Sequence, residues 1–207
     1  MQSEKLLDLF RRAVSAGICI AIGGVVFLGC DNKYVGAVLF SVGLFAVVTR
    51  GMALYTGMVG YLPDNCNLDY IGRLLVVIAG NLVGTGIIGL GLHLTRQTAL
   101  CEKAAEMCAV KTGDSLLSLL VLGIGCGILM YIAVDGYRRF TDPLTKILGV
   151  FLCVPVFILS GMEHSIADMF YFFAGSAWSL RTVICVAVII LGNGIGGVLI
   201  PLLRPGK

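Results

Sequence analysis

Charged residues are scarce in this sequence. It has 12 acidic and 15 basic side chains among 207 residues, or 13%, where an ordinary soluble domain carries roughly 25%. The apolar set AVILMFWYC makes up 58% of the chain, too much for polar groups to cover in water. This excludes a soluble enzyme and a disordered chain, and the net charge of +3 is too small for a nucleic-acid partner. What remains is an integral protein of the lipid bilayer.

Proline is also rare, at 5 residues against 28 glycines, which argues against a low-complexity linker. In a membrane, frequent glycine indicates helices packed backbone to backbone and helix breaks that line cavities. The 8 cysteines form no CxxC pair and have no metal-ligand spacing, so we expect neither a metal nor another cofactor. Cys101 and Cys108 lie in the most polar segment, where a disulfide is the alternative to two free thiols.

Six apolar segments are long enough to cross a bilayer core, which takes about 20 helical residues. The second is interrupted near Thr56 and the fifth at Gly161-Met-Glu-His, whereas residues 96–114 are predicted to form one long polar loop. The six predicted spans are residues 13–30, 34–62, 68–94, 115–134, 143–175 and 179–203.

The two halves of the chain resemble each other. Residues 80–84 and 192–196 both read G-N-x-[VI]-G, and the two interrupted spans occupy matching positions. With three spans in each half, the second copy must be inverted, as is typical of transporters and channels whose pathway lies at the breaks. We therefore predict an all-α membrane domain with an inverted 3+3 repeat, residues 13–94 and 115–203, and broken helices two and five.

The loops favour one orientation in the membrane. When both termini are placed in the cytoplasm, more Lys and Arg residues fall on the cytoplasmic side than outside, Lys207 among them. We expect a multi-pass protein of the cell (inner) membrane with both termini cytoplasmic.

His164 is the strongest candidate for chemistry, because ionisable groups at membrane depth are costly and usually face a cavity. A histidine titrates near neutral pH and can exchange protons, although a neutral structural role is the alternative. Asp168 lies four residues later and needs a partner or a proton in an apolar span. Pairing with Arg50 and tuning of His164 are the two alternatives for this carboxylate.

Four further polar residues lie within or beside the spans. Thr56 lies in the first break, where a hydroxyl suits a transient polar contact. Asn81 and Asn193 either tie down irregular backbone, which we favour, or contact the solute. Lys146 lies near the start of the fifth span, where ordinary snorkelling is the alternative to a role with anions.

Several motifs resemble those of the formate/nitrite transporter family. GMEHSIADMF at 161–170 is similar to its fifth-helix motif G-F-E-H-S-[IV]-A-N-M, and LYTG at 54–57 is similar to its second-helix E-L-F-T-G-N. The family also has counterparts, in the same order along the chain, of the paired Gly-Asn motifs, of the lysine at 146 and of FSVGL at 40–44. The departures from the family pattern are Ala53, Tyr55, Met58, Gly127 and Asp168.

The resemblance implies a homopentamer of aquaporin-like pores, which small residues on spans one, three and six also favour. It implies a central His164 that faces Thr56, with Asn193 as the sixth-helix partner and Lys146 at a vestibule that attracts anions. It further implies an inner constriction of Phe40, Leu44 and Phe157 and an outer one of Leu54 and Tyr55.

We expect a channel or transporter for a small monovalent anion or its weak acid, such as formate, nitrite or hydrosulfide. A bare anion loses hydration in an apolar constriction, so proton exchange near His164 eases its passage. The alternative is a channel for a neutral solute on the same fold, if Asp168 cancels the attraction for anions. We expect no enzyme, because the chain has neither an HExxH nor a G-x-S-x-G motif.

Overall fold

The computed structural model describes residues 5–204, so Lys207 lies outside the described residues. Within that range the chain forms nine α-helices, and two 3₁₀ turns, Val59–Tyr61 and Pro63–Asn65, follow the third. The helices are α1 Leu6–Gly29, α2 Lys33–Thr49, α3 Tyr55–Met58, α4 Leu68–Leu92, α5 Thr98–Gly113, α6 Leu116–Arg139, α7 Pro143–Leu159, α8 Ser165–Ala174 and α9 Leu180–Leu202.

Four of these helices, α1, α4, α6 and α9, are long and apolar enough to cross a membrane. The apolar helices α2 and α7 are shorter, with 17 residues each, and each is followed by a non-helical segment and a second short helix. The interruptions predicted in the second and fifth spans are therefore present, at residues 50–54 and 160–164.

The second residue of each interruption is a glycine in the left-handed conformation. Gly51 has φ of +61° and Gly161 has φ of +66°, which residues with a Cβ rarely adopt. The N–H groups of the following residues reach back to the ended helices, from Met52 to the Val47 carbonyl at 2.9 Å and from Met162 to the Phe157 carbonyl at 3.0 Å. This is the hydrogen bond of a glycine-terminated helix, and it recurs 110 positions later in the chain.

The long helices pack in two intimate pairs, α1 with α4 and α6 with α9. An ideal Cβ on Gly84 would lie 2.1 Å from the Val14 carbonyl oxygen, and one on Gly196 would lie 2.0 Å from that of Ile124. The glycines of the repeated motif thus let two backbones meet inside one protomer.

The predicted polar loop at 96–114 is wrong, because most of it forms helix α5. Leu100, Ala104 and Cys108 are four residues apart and are buried on one face, which packs against α8. A helix with one apolar stripe remains polar in overall composition, so hydropathy alone reads it as a loop. The disulfide alternative is also wrong, since Cys101 and Cys108 are both free thiols.

The connections define two ends of the helix bundle. We call the end where α1 and α4 begin and α6 and α9 finish the terminal face, and the end where α5 joins α4 to α6 the α5 face. On the terminal face, Asp135 pairs with Arg139 at 2.8 Å and with Arg204 at 2.6 Å. These ion pairs join the end of α6 to the end of the described chain.

The close helix contacts predict that Gly84→Ala destabilises the protein by about 1–3 kcal/mol, because the added methyl group must push α1 and α4 apart. The measurement is thermal unfolding of the purified protein in detergent. Gly72→Ala, on the same helix but with open space around the added Cβ, is the matched control and should not lower the melting temperature. Equal melting temperatures for the two variants would contradict this account of the packing.

Candidate functional site

The first break is held by the side chain of Asn81, in the middle of α4. Its amide nitrogen donates to the carbonyl oxygens of Ala13 at 2.8 Å and Ala53 at 2.9 Å. Its amide oxygen accepts the backbone N–H of Tyr55 at 3.0 Å, where α3 begins. One buried amide therefore binds α1 and both sides of the break.

Asn193 repeats this arrangement in the second half. Its amide nitrogen donates to the carbonyls of Gly123 at 2.9 Å and Glu163 at 2.8 Å, and its oxygen accepts the N–H of Ser165 at 2.9 Å. The nitrogen and the oxygen of the Asn193 amide both bind backbone, and the residue is fully buried. A place for Asn193 in the transport pathway stays a prediction. The alternative that it ties down irregular backbone describes both asparagines.

His164 and Thr56 meet where the two breaks approach each other. Nε2 of His164 lies 3.0 Å from the Thr56 hydroxyl oxygen, and both residues are buried. Nδ1 accepts the backbone N–H of Ala167 at 3.1 Å and so caps the start of α8. A ring nitrogen that accepts a hydrogen bond carries no proton, so the neutral ring has its proton on Nε2 and donates it to Thr56.

The His164 side chain forms part of the wall of a cavity of about 260 Å³ that opens toward the α5 face. Phe40 and Phe157 line the same cavity and pack edge to face, with ring centroids 6.1 Å apart. Phe157 in turn stacks on the His164 ring at 5.6 Å. The polar wall of this cavity comes from Lys111, Glu163, His164 and Asp168.

A second cavity, of about 60 Å³, lies toward the terminal face and is lined by Leu54, Gly57 and Met58 among others. Leu54 therefore lies toward the terminal face, and Phe40 and Phe157 lie toward the α5 face. The assignment of the inner and the outer constriction stays a prediction.

Two predicted constriction residues, Leu44 and Tyr55, line neither of these cavities. Leu44 is part of the buried core. The hydroxyl of Tyr55 donates to the Ile190 carbonyl at 2.9 Å, so this side chain packs against α9 instead.

Asp168 pairs with Lys111, which the sequence analysis missed. Nζ of Lys111 lies 2.9 Å from Oδ1 of Asp168 and also contacts Oε2 of Glu163. Burial lowers the pKa of this lysine, but the adjacent Asp168 and Glu163 carboxylates outweigh it and raise the pKa above its ordinary value. Lys111 is therefore charged.

The alternative of an Asp168–Arg50 pair is wrong, because Arg50 is exposed at the end of α2. Lys111 was missed because its segment was assigned to a loop. Its position one turn after Cys108 and two turns after Ala104 on the buried stripe was the available signal.

Lys146 lies on the opposite side of the molecule from Lys111. It is half-buried in the first turn of α7, with Nζ 5.5 Å from the ring centroid of Tyr137, which lines the second cavity. A vestibule role for Lys146 remains a prediction for the terminal face. The cation in the cavity beside His164 is Lys111.

Membrane-crossing helices, paired helix breaks and facing cavities together define a multi-pass membrane transport protein. The sequence profile of the family described as "Formate/nitrite transporter" matches residues 2–204. The chain belongs to the formate/nitrite transporter family, whose members are channels and transporters.

Individual relatives agree with this assignment. An uncharacterized transporter of Bacillus subtilis, YrhG, is 30% identical to this chain, and the alignment covers 82% of this chain and 69% of the relative. A probable formate transporter of Methanothermobacter thermautotrophicus is 29% identical, and the alignment covers 80% of this chain and 71% of the relative. A solved pentameric formate channel with formate bound superposes with a TM-score of 0.81 at 25% identity, covering 95% of both chains.

The contacts of Lys111 predict that Lys111→Met lowers stability by about 3–5 kcal/mol, because two buried carboxylates lose their cation. Arg50→Met is the matched control, since it removes an exposed cation of similar length and should change stability little. Thermal or denaturant unfolding of both variants at neutral pH provides the measurement. If Arg50→Met proved the more damaging change, the pairing described here would be refuted.

Proposed function

We propose that the chain is a channel for a small monovalent anion that crosses as its weak acid, with formate as the first substrate to test and nitrite and hydrosulfide as further candidates. The observation that carries the proposal is the His164–Thr56 contact. This hydrogen bond lies between the two cavities, one lined by Phe40 and Phe157 and the other lined by Leu54. Family membership and the formate named for the solved relative support the same substrate class.

The apolar walls favour a neutral permeant. An ion that enters them gives up hydration at a cost of several kcal/mol. Neutral formic acid needs hydrogen-bond partners only for its hydroxyl and its carbonyl group. Nε2–H of His164 and the Thr56 hydroxyl can donate and accept those hydrogen bonds. We therefore place uptake of the proton in the cavity next to His164, before the narrowest part of the path.

We propose that the fold comprises six membrane crossings as an inverted, aquaporin-like 3+3 repeat. Helices α2 with α3 and α7 with α8 would be the broken second and fifth crossings, with the repeats near residues 13–94 and 115–203. The 110-position correspondence of the two breaks supports this arrangement. With both termini in the cytoplasm, the cavity that contains His164 opens to the outside.

A channel for a neutral solute is the second candidate, and one observation favours it. Glu163 and Asp168 outnumber Lys111 in the cavity beside His164, so the fully ionised cluster would repel anions. Uptake of small neutral solutes and of formate by the same proteoliposomes separates the two candidates.

His164→Asn should lower formate flux about tenfold, the effect of losing one hydrogen bond worth about 1.4 kcal/mol in the path. Asparagine is a good helix cap, so α8 should still form. Formate uptake by proteoliposomes under an imposed pH gradient is the measurement. His93→Asn is the matched control, because His93 is exposed at the end of α4 and lies away from the path. Undiminished flux in His164→Asn would rule out the assigned role.

We further propose that the protein assembles as a homopentamer, on the basis of the solved pentameric relative. Cross-linking of the purified protein should then give a ladder of bands that ends at five protomers. A ladder that ends at two or three would exclude the pentamer. Because the glycines of α4 and α9 are used within the protomer, Gly84→Ala should lower the melting temperature without shortening the ladder.

A further inference from the structure

Lys111, Glu163 and Asp168 form a compact buried cluster whose charges do not balance. The side chains are 11%, 9% and 2% exposed, and one ammonium group contacts both carboxyl groups. Fully ionised, the cluster would carry one excess negative charge in a poorly hydrated site. Two carboxylates that share one cation at contact distance are rarely both ionised, because each destabilises the other.

One oxygen of this cluster has no partner while both carboxyl groups are ionised. Oδ1 of Asp168 contacts Lys111, but Oδ2 is buried and has no hydrogen-bond partner among the described residues. Buried polar atoms are normally satisfied, and a proton shared with Glu163 would satisfy this oxygen. Asp168 also lines the same cavity as His164, so a permeating anion can reach that proton.

We propose that Glu163 and Asp168 share one proton at neutral pH and that this carboxyl pair, not His164, delivers the proton to the entering anion. This inference rests on the proposed weak-acid transport and identifies its proton donor. The position of His164 supports the assignment. Protonation of Nδ1 would turn it from an acceptor into a donor that faces the Ala167 N–H, and the N-terminus of α8 also disfavours a positive charge there.

The transfer balances as a simple acid–base step. The O–H bond of the shared carboxylic acid breaks while an O–H bond forms on a formate oxygen, leaving a carboxylate and formic acid. Formic acid moves on past His164 and Thr56, and the carboxylate takes a new proton from water that enters the cavity from the α5 face. One proton thus crosses with each anion, and Lys111 remains charged throughout.

Few other titratable groups surround the pair. The neighbours that interact with it are Lys111 and Cys108 on α5, Cys126 on α6, His164 in the break, Tyr171 on α8 and Cys185 on α9. Lys111 is the only cation among these neighbours. A change in the protonation of the Glu163–Asp168 pair should therefore appear as one distinct titration step.

The test begins with infrared spectroscopy of the purified protein at neutral pH, which reads protonation without transport. The wild type should show the carbonyl stretch of a protonated carboxylic acid. Asp168→Asn should lose it, because the remaining Glu163–Lys111 pair is neutral when ionised. His164→Asn should keep it, and Asp69→Asn, which removes an exposed aspartate of α4, is the matched control. Absence of the band in the wild type, or its persistence in Asp168→Asn, would overturn the proposal.

Formate exchange by proteoliposomes, measured against pH, completes the test. Asp168→Asn should lower exchange at neutral pH by roughly a hundredfold, the lower end of the usual gain from a positioned general acid. It should also lose the titration step that wild type and His164→Asn share. If Asp168→Asn and wild type superpose, the pair is not the donor. If the wild type carries no weak acid at all, the proposed function fails, whatever the infrared band shows.

Discussion

Two buried amides hold the parts of this molecule on which the rest depends. Where helices α2 and α7 stop, extended backbone lies inside an apolar bundle, and its N–H and C=O groups have no water to bind. Asn81 and Asn193 each satisfy two such backbone groups and join them to a carbonyl group of a neighbouring long helix. The cavities, the His164–Thr56 contact and the start of α8 all follow from these anchored breaks.

Much of the architecture is readable from the sequence because it depends on hydropathy and glycine. The apolar spans, both interruptions and the repeated Gly-Asn motif were predictable, and so was the proximity of His164 and Thr56, through the family motifs. The partner of Asp168 was not, because Lys111 is 57 positions away and lies in a helix that composition reads as a loop.

The two halves share a backbone plan but differ in chemistry. Ala53 occupies in the first break the place of Glu163 in the second, since Asn81 and Asn193 bind their carbonyl groups equivalently. By the same 110-position correspondence, Met58 stands where Asp168 stands. The acidic groups and the histidine are therefore on the side of the α5 face. The cavity on the terminal side is lined mainly by valine, leucine, methionine and glycine, together with Tyr137 and Arg138. The path is chemically asymmetric although its frame is repeated.

That frame separates the construction of a pore from the choice of what passes through it. The breaks are made by two left-handed glycines, backbone hydrogen bonds and two amides, and none of these needs the side chain of the residue just before the short helix. Leu54 and His164 occupy this N-cap position in the two halves, one apolar and one titratable, and the backbone geometry is the same in both. The residue at this position can therefore change without altering the backbone of the break, so one frame can present different chemistry to whatever passes through it.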